Sequence, residues 1–313
     1  MTLNILDVFI SFFTERKNVF QAVMAKFACF VTESNLKNPN CTVIEILPSD
    51  ADMILNSYNF NIIRDTYNCG ISEDNNVLFE SYDNSFVLCD KNIDKIFFSI
   101  DETQRALEHT IIIKIIYHLF FYLTKYDLFN IHCSCATIRE DANNCVAFLG
   151  NKHSGKSTMV LHMLSSGEHI MCDDSLLFDA NSVKAVPNVS PAKAYLYDIN
   201  KAGVNKQKIG DCLSFDDNKY QIRMPHEKFA PYAFVIPKTI FIMDDCRNEE
   251  PQISILSPNE FIVETVKRTT HSEYFSNKKY LDLLYKLSKQ RCFLLTPSTN
   301  SQKTYECIID LLY

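Results

Sequence analysis

Hydrophobic residues lie along this chain in short runs whose spacing changes after residue 100. In residues 1–100 the runs "CTVIEIL", "NNVLFESY" and "NSFVLCD" stand beside polar clusters such as "SEDNN" and "YDNS". Alternation of this kind, bounded by turn-forming residues, predicts several strands. Because this region carries no motif with recognisable chemistry, we interpret residues 1–100 as an N-terminal α+β region of unknown role.

Residues 101–125 have the longer apolar pattern of a helix. The segment "HTIIIKIIYHLFFYLTKY" (109–126) is the strongest candidate for a membrane span. Its Lys114, His118 and Lys125 recur on one helical face, and its apolar run is shorter than the ~20 residues that a span needs. We therefore expect a mostly buried helix and no membrane partner.

Predicted strands and helices alternate in the rest of the chain, which is typical of an α/β domain, here 101–313. The predicted strands are "FNIHCSCATIRE", "NNCVAFLG", "HIMC", "AKAYLYDI", "YQIRMP" and "KTIFIMD". A helix should run from about Gly155 to Ser166, with Gly167 as its stop. Three more helices are predicted at "PNEFIVETVKR", "NKKYLDLLYKLSK" and "SQKTYECIIDLLY".

Chemistry first appears in the stretch "GNKHSGKST", in a chain with only six glycines. Gly150, Gly155, Lys156 and Ser157 satisfy the phosphate-loop pattern G-x-x-x-x-G-K-[ST], between a predicted strand and a predicted helix. The glycines permit the tight turn, loop amides and the helix N-terminus point donors at an anion, and Lys156 reaches the β- and γ-phosphates. The plainer alternative is an ordinary glycine turn before a helix.

Two acids, Asp173 and Asp174, end the next predicted strand. Ligands gather at the carboxyl ends of strands in open α/β sheets, so both acids can face the γ-phosphate. One carboxylate can hold Mg²⁺ and the other can take the proton of an attacking hydroxyl. The alternative is one metal-binding acid beside a solvated neighbour. A second pair, Asp244 and Asp245, ends the strand "TIFIM" in the same way. It could be a second feature of the site, but a solvated strand end is the favoured interpretation.

Charge and composition bear on the partners and the compartment that we expect for this protein. The formal net charge of -7 argues against a general nucleic-acid binder. Twelve cysteines without a zinc-type spacing indicate reduced, buried thiols in a cytoplasmic protein, and "MTLNILDVFISFF" lacks the basic leader of a signal peptide. Abundant Phe and Tyr without Trp indicate a core and not a base-stacking surface.

The segment "GNKHSGKSTMVLHMLSSGEHIMCDDS" resembles the catalytic domain of the HPr kinase/phosphorylase family. That family has a phosphate loop, one helix ending in glycine, a short strand and two aspartates, and the spacing matches without a gap. "FNIHCSCATI" is similar to the strand that carries the family's active-site histidine, here His132. "YLYDINKAG" resembles the segment with a metal-binding glutamate, where Asp198 stands. The histidine strand looks closer to related kinases encoded with modified-peptide pathways.

The resemblance implies an ATP-dependent kinase with a phosphoenolpyruvate-carboxykinase-like P-loop nucleotide-binding fold. Asp174 would be the base for the acceptor hydroxyl, and Lys156 would stabilise the transferring group. His132 would line the site as a third catalytic residue, assisting proton transfer or orienting a phosphate. The residues that would bind ATP are Gly150, Asn151, Lys152, His153, Ser154, Gly155, Lys156, Ser157 and Thr158. The residues that would bind Mg²⁺ are Ser157, Asp173 and Asp198.

The chain also departs from the family pattern. Lys152 and His153 stand where the family loop has serine and glycine. They could contact phosphate or an acidic substrate, although loop-tip residues are more often solvent-exposed. The family's catalytic arginine has no clean equivalent, and Arg268 or Arg223 could supply the charge from another place. These departures weaken the case for HPr protein as the substrate and for the reverse phosphorylase reaction.

The leading expectation is a kinase that transfers the γ-phosphoryl group of ATP to a serine-type hydroxyl on a peptide or protein. The alternatives are a small-molecule hydroxyl kinase, for free serine or a similar metabolite, and a nucleotide-binding switch without an acceptor. The resemblance is compatible with a homo-oligomer, since HPr enzymes assemble.

Overall fold

The structure, a computed structural model of the 313-residue chain, forms two compact units, Met1–Tyr126 and Asp127–Tyr313. The residues that it describes are 2–5, 8–17, 20, 31–32, 39–46, 50, 60–64, 69–72, 77–82, 85–90, 94–100, 115–116, 118–187, 193–204, 209–212, 219–222, 234–268 and 272–313. The chain divides between the units after Tyr126, whereas the sequence pattern placed the boundary after residue 100.

The strands of the first unit form a nine-stranded mixed sheet of order β3-β1-β2-β4-β9-β8-β7-β6-β5. They are β1 (Thr2–Ile5), β2 (Val8–Phe13), β3 (Val31–Thr32), β4 (Cys41–Glu45), β5 (Phe60–Arg64), β6 (Cys69–Ser72), β7 (Val77–Tyr82), β8 (Ser85–Asp90) and β9 (Lys95–Ser99). The strands predicted from "CTVIEIL", "NNVLFESY" and "NSFVLCD" are confirmed as β4, β7 and β8.

The burial of side chains in β4 and β9 follows from strand geometry, in which alternate side chains point to opposite faces. Cys41 and Val43 of β4 are buried, as are Ile96 and Phe98 of β9. The two strands are parallel neighbours, with Val43 opposite Ile96. These residues contribute one apolar face to the core of the first unit.

A helix is present within the predicted 101–125 segment, at residues 115–116 and 118–123, and residues 101–114 lie outside the described part of the chain. His118, expected on the polar face, is buried. The hydroxyl of Tyr122 donates to the carbonyl of Asn40 at 2.8 Å, which ties the helix to the start of β4. Among the described residues, no helix has both the length and the apolar character needed to cross a membrane.

The centre of the second unit is a six-stranded mixed sheet of order β13-β11-β12-β19-β21-β20, beside the three-stranded sheets β10-β14-β15 and β16-β18-β17. The strands are β10 (Leu128–Ile131), β11 (Cys133–Ile138), β12 (Asp141–Leu149), β13 (Ile170–Cys172), β14 (Leu176–Asp179), β15 (Ala185–Val186), β16 (Lys193–Tyr195), β17 (Ile209–Cys212), β18 (Lys219–Ile222), β19 (Pro237–Met243), β20 (Gln252–Ile255) and β21 (Arg291–Thr296). Strands and helices are mixed in this unit, so the predicted α/β class is confirmed at that coarse level.

Three stacked aromatic rings hold the central strands of this sheet together. The rings of Phe148 and Phe241 lie 5.7 Å apart, and those of Phe241 and Phe293 lie 5.3 Å apart. These residues belong to the parallel neighbours β12, β19 and β21. Strands buried on both faces have nearly continuous apolar runs, which is why "CVAFL" and "TIFIM" could be recognised in the sequence.

The helices of the second unit are α1 (Lys156–Ser165), α2 (Leu196–Lys201), α3 (Pro258–Lys267), α4 (Lys278–Leu287) and α5 (Ser301–Leu312). Helix α3 begins with a capping box between Ser257 and Glu260, which satisfies amides that the first turn leaves without partners. Asn277 and Asn300 cap α4 and α5. Helix α1 ends just before Gly167, whose φ of +101° is the left-handed stop expected there.

Two predicted strands are wrong in detail. "FNIHCSCATIRE" is not one strand, because the chain leaves β10 at His132 and enters β11 in a different sheet. "AKAYLYDI" is a strand only over β16, and its second half is helix α2, which contains Asp198. In both cases the apolar pattern is too short to show a break, since strands of four residues carry little periodicity.

Candidate functional site

The strands β12, β13 and β19 end at the same edge of the central sheet. β12 and β19 are parallel, with Leu149 opposite Ile242. β13 is antiparallel to β11, which is itself antiparallel to β12, so β13 and β12 point the same way. The residues that follow the three strands therefore meet at one edge: Gly150 after β12, Asp173 after β13 and Asp244 after β19.

Residues 150–157, the glycine loop, contain two glycines, Gly150 and Gly155, in backbone conformations that other residues rarely adopt. Gly150 has a φ of +152°, and a Cβ there would lie 2.7 Å from Ser154 Oγ and 2.9 Å from the carbonyl oxygen of Met243. Gly155 has a φ of +106° and forms the N-cap of α1 without a side-chain cap. The loop therefore turns tightly against the end of β19 and leaves the first amides of α1 without a capping side chain.

Lys156 is folded into the glycine loop. Its side chain is buried, and Nζ donates to the carbonyl of Gly150 at 2.9 Å and to that of Asn151 at 2.8 Å. Burial lowers the pKa of Lys156, and Asp173 is the largest of the influences that oppose this shift. The ammonium is thus held close to the loop backbone with a carboxylate nearby.

Asp173 connects the end of β13 to the glycine loop. It is 2% exposed, and its Oδ1 accepts hydrogen bonds from Ser157 Oγ at 2.8 Å and Ser134 Oγ at 2.7 Å. Ser157 and Asp173 are predicted as site residues from the sequence, whereas Ser134 is not. The only sequence signal for Ser134 was a hydroxyl inside the apolar run of β11, where a buried polar group needs a hydrogen-bond partner.

Asp174 and His132 form a second pair beside Asp173. The Nδ1 of His132 lies 2.6 Å from the carbonyl oxygen of Asp174. A carbonyl oxygen only accepts, so Nδ1 carries the proton and a neutral His132 has its lone pair on Nε2. Asp174 has a φ of +89°, a strained conformation for a residue other than glycine, and such strain gathers at functional sites.

The other loop residues differ in exposure. The hydroxyl of Ser154 is buried, and the described residues offer it no hydrogen-bond partner. Thr158 is half-buried in the first turn of α1, and the side chains of Lys152 and His153 are exposed. His153 has a φ of +71°, so the loop tip is itself in a left-handed conformation.

Asp198 lies in the short helix α2. Burial raises its pKa, while Lys201 and Arg247 act in the opposite direction. The described residues contain no cluster of three His, Cys, Asp or Glu side chains that could hold a metal ion, so Asp198 does not complete one with Asp173 and Asp174. Only Ser157 and Asp173 of the three predicted metal ligands are brought together.

The loop after β19, residues 244–251, touches the glycine loop. Asn151 Nδ2 donates to Asp245 Oδ2 at 2.6 Å, and Arg247 Nη2 donates to the carbonyl of His153 at 3.2 Å. Asp244 is partly buried and faces Arg268 at 3.6 Å. The acids after "TIFIM" are therefore more than a solvated strand end, and sequence analysis did not single out Arg247.

A small pocket beside Gly150 is lined by residues that include His132, Thr265 and Arg268. Arg268 reaches this edge from the end of α3, where it is paired with both Glu264 and Asp244. Its charge is therefore already compensated by two carboxylates. Arg223, the other arginine considered from the sequence, lies outside the described residues.

Sequence comparison adds no assignment to this arrangement. No protein-family model matches the chain, and no curated protein matches it either.

Proposed function

We propose that the second unit is an ATP-dependent kinase that transfers the γ-phosphoryl group to a serine-type hydroxyl on a peptide or protein. The observation that supports it best is the hydrogen bond from Ser157 to Asp173, which joins a glycine loop to an acid on a neighbouring strand. On this proposal the unit has the phosphoenolpyruvate-carboxykinase-like P-loop nucleotide-binding fold implied by the resemblance to HPr kinases, and the protein acts in the cytoplasm.

The glycine loop fits the triphosphate of ATP. A side chain at Gly150 would collide with Ser154 and Met243, so the backbone there stays close-packed and free of side-chain atoms. The buried hydroxyl of Ser154 and the uncapped amides of α1 are donors of the kind that phosphate oxygens accept. Lys156 would exchange its two carbonyl partners for phosphate oxygens, for which its charge makes it a stronger donor.

The Ser157–Asp173 pair fits Mg²⁺, because a hydroxyl and a carboxylate are hard oxygen ligands. Mg²⁺ is usually held by one or two carboxylates together with substrate phosphates, and it keeps several waters. Bound there, the ion would neutralise charge on the β- and γ-phosphates. Ser134 would then hold Asp173 in position through the hydrogen bond to the same carboxylate.

Asp174 is the proposed base. The acceptor oxygen forms a bond to the γ-phosphorus, the bond from that phosphorus to the bridging oxygen of ADP breaks, and the hydroxyl proton passes to the Asp174 carboxylate. The carbonyl of Asp174 is fixed by the Nδ1 proton of His132, so His132 is a positioning residue for the base. Lys156, near Asp173 and in the loop, stabilises the charge of the transferring group.

The proposal is tested by incubating the full chain with γ-labelled ATP, Mg²⁺ and a panel of serine-containing peptides, with free serine in a parallel reaction. Label on a peptide serine is the expected result. Label on free serine alone would replace the peptide acceptor with a small-molecule acceptor. ATP binding without transfer to either acceptor would favour a nucleotide-dependent switch, and the absence of ATP binding would refute the nucleotide site itself.

A further inference from the structure

The loop after β19 reaches the glycine loop from the side opposite to Asp173. In the sheet order β13-β11-β12-β19, the glycine loop follows β12, Asp173 follows β13 and residues 244–251 follow β19. The glycine loop therefore has an acid that carries two serine hydrogen bonds on one flank. On the other flank it has residues 244–251, which include Asp244, Asp245 and Arg247.

Two hydrogen bonds connect that segment to the tip of the glycine loop. Asp245 accepts from the side-chain amide of Asn151 at 2.6 Å, and Arg247 donates to the carbonyl of His153 at 3.2 Å. The guanidinium of Arg247 is also 3.7 Å from the position that a Cβ on Gly155 would occupy. Arg247 thus lies over the second half of the loop, next to the residue that begins α1.

The two arginines at this edge are held in different ways. Arg268 is paired with the carboxylates of Glu264 and Asp244, which compensate its charge. Arg247 is exposed and donates to a neutral backbone carbonyl, although its charge also reaches the carboxyl of Asp198 and opposes the rise in the pKa of that group. Exchanging the carbonyl for a phosphate oxygen replaces a neutral acceptor with an anionic one, and the planar guanidinium can bind phosphate in a bidentate manner.

We propose that Arg247 binds the phosphate chain of the nucleotide held in the glycine loop. This inference rests on the proposed nucleotide site and adds a residue that the phosphate-loop pattern does not contain. When the nucleotide binds, the guanidinium leaves the carbonyl of His153 for a phosphate oxygen, while the Asn151–Asp245 hydrogen bond keeps the two loops together.

The test compares ATP affinity, by isothermal titration with Mg²⁺ present, in the wild-type chain and in R247A, R247Q and R291A. R247Q separates two roles, because glutamine can still donate to the carbonyl of His153 but carries no charge. R291A is the matched control. Arg291 is also exposed and donates to a backbone carbonyl, that of Leu311, but it begins β21 at the opposite edge of the sheet.

Both R247A and R247Q should bind ATP about 10-fold or more weakly than the wild type, and R291A within about threefold of it. An R247Q that binds ATP within about threefold of the wild type would overturn the inference while leaving the nucleotide site intact. A wild-type chain that binds no ATP would instead refute the proposed function together with this inference. Arg247 and Arg291 are both exposed, so melting curves should show all three variants folded.

Discussion

The hydroxyl of Ser157, in the first turn of α1, donates a hydrogen bond of 2.8 Å to Oδ1 of Asp173, which follows β13. One helix and one short strand separate these residues in the chain, and the sheet order brings them back together. Ser134 donates to the same oxygen from β11, the strand that lies between β13 and β12 in the sheet. The pair is therefore held from both sides by the sheet and is not a chance contact of two flexible side chains.

The hydrogen bond from Ser134 should matter for both stability and metal binding. Ser134→Ala leaves Asp173 with one of its two serine donors at a buried site, and losing a hydrogen bond to a buried charge costs about 1–3 kcal/mol of unfolding free energy. Ser165→Ala is the control, because that exposed hydroxyl donates only to the carbonyl of His162 within α1. Urea unfolding of both variants measures the difference.

The Mg²⁺ dependence of ATP binding gives a second measurement on Ser134→Ala. A less well-positioned Asp173 should require a higher Mg²⁺ concentration for half-maximal ATP binding. Equal Mg²⁺ requirements in the variant and the wild type would contradict the role of Ser134 in positioning Asp173.

Lys156 should be needed for turnover but not for folding. Methionine has a similar volume and suits the buried site, so Lys156→Met should keep the melting temperature within a few degrees of the wild type. Label transfer from ATP should fall by about 100-fold or more, because the transferring group loses its cationic partner. Lys278→Met, at an exposed position in α4, should change neither quantity. Full turnover in Lys156→Met would refute the assigned role.

Glu168 should make stability depend on pH. Burial alone would raise its pKa, but hydrogen bonds from Tyr313, Thr137 and two backbone amides outweigh burial, and the net pKa is lowered. A carboxyl whose pKa is lower in the folded state stabilises the fold above its unfolded pKa of about 4.3, and this stability is lost as pH falls through the folded pKa.

Glu168→Gln checks that prediction. At pH 7 the variant should be less stable than the wild type by about 1–3 kcal/mol, since glutamine cannot accept the same set of hydrogen bonds. The difference should shrink as the pH is lowered below about 4, where the wild-type carboxyl also becomes protonated. Glu306→Gln, at an exposed position on α5, should show no such trend. A constant difference across pH would contradict the assignment to ionised Glu168.

Local sequence signals were sufficient for the elements around the site. The strand before Gly150, the helix after it and the stop at Gly167 each follow from residue type within a few positions, and all three are confirmed. The proximity of Ser157 and Asp173 could be predicted from one general rule, that ligand-binding residues of open α/β sheets gather at the carboxyl ends of the strands. The strands β12 and β19 could be recognised because most of their residues are buried, which gives each of them a nearly continuous apolar run.

The parts that sequence analysis missed depend on contacts between distant segments. Nothing near Ser134 indicates that it faces Asp173, because strand pairing decides that relationship. Arg247 lies in a polar stretch that looks solvated until β19 is known to pair with β12. The break at His132 and the start of α2 were missed because each falls between elements of only a few residues, where apolar periodicity carries little information.

The most direct test of the kinase proposal compares Asp174→Asn with the wild-type chain. Asparagine keeps the size of the side chain but cannot take the proton of an acceptor hydroxyl. The proposal predicts ATP affinity within about threefold of the wild type, and label transfer to a serine peptide about 100-fold to 10,000-fold slower. A variant that transfers label at the wild-type rate would contradict the central claim that Asp174 is the base of a hydroxyl kinase.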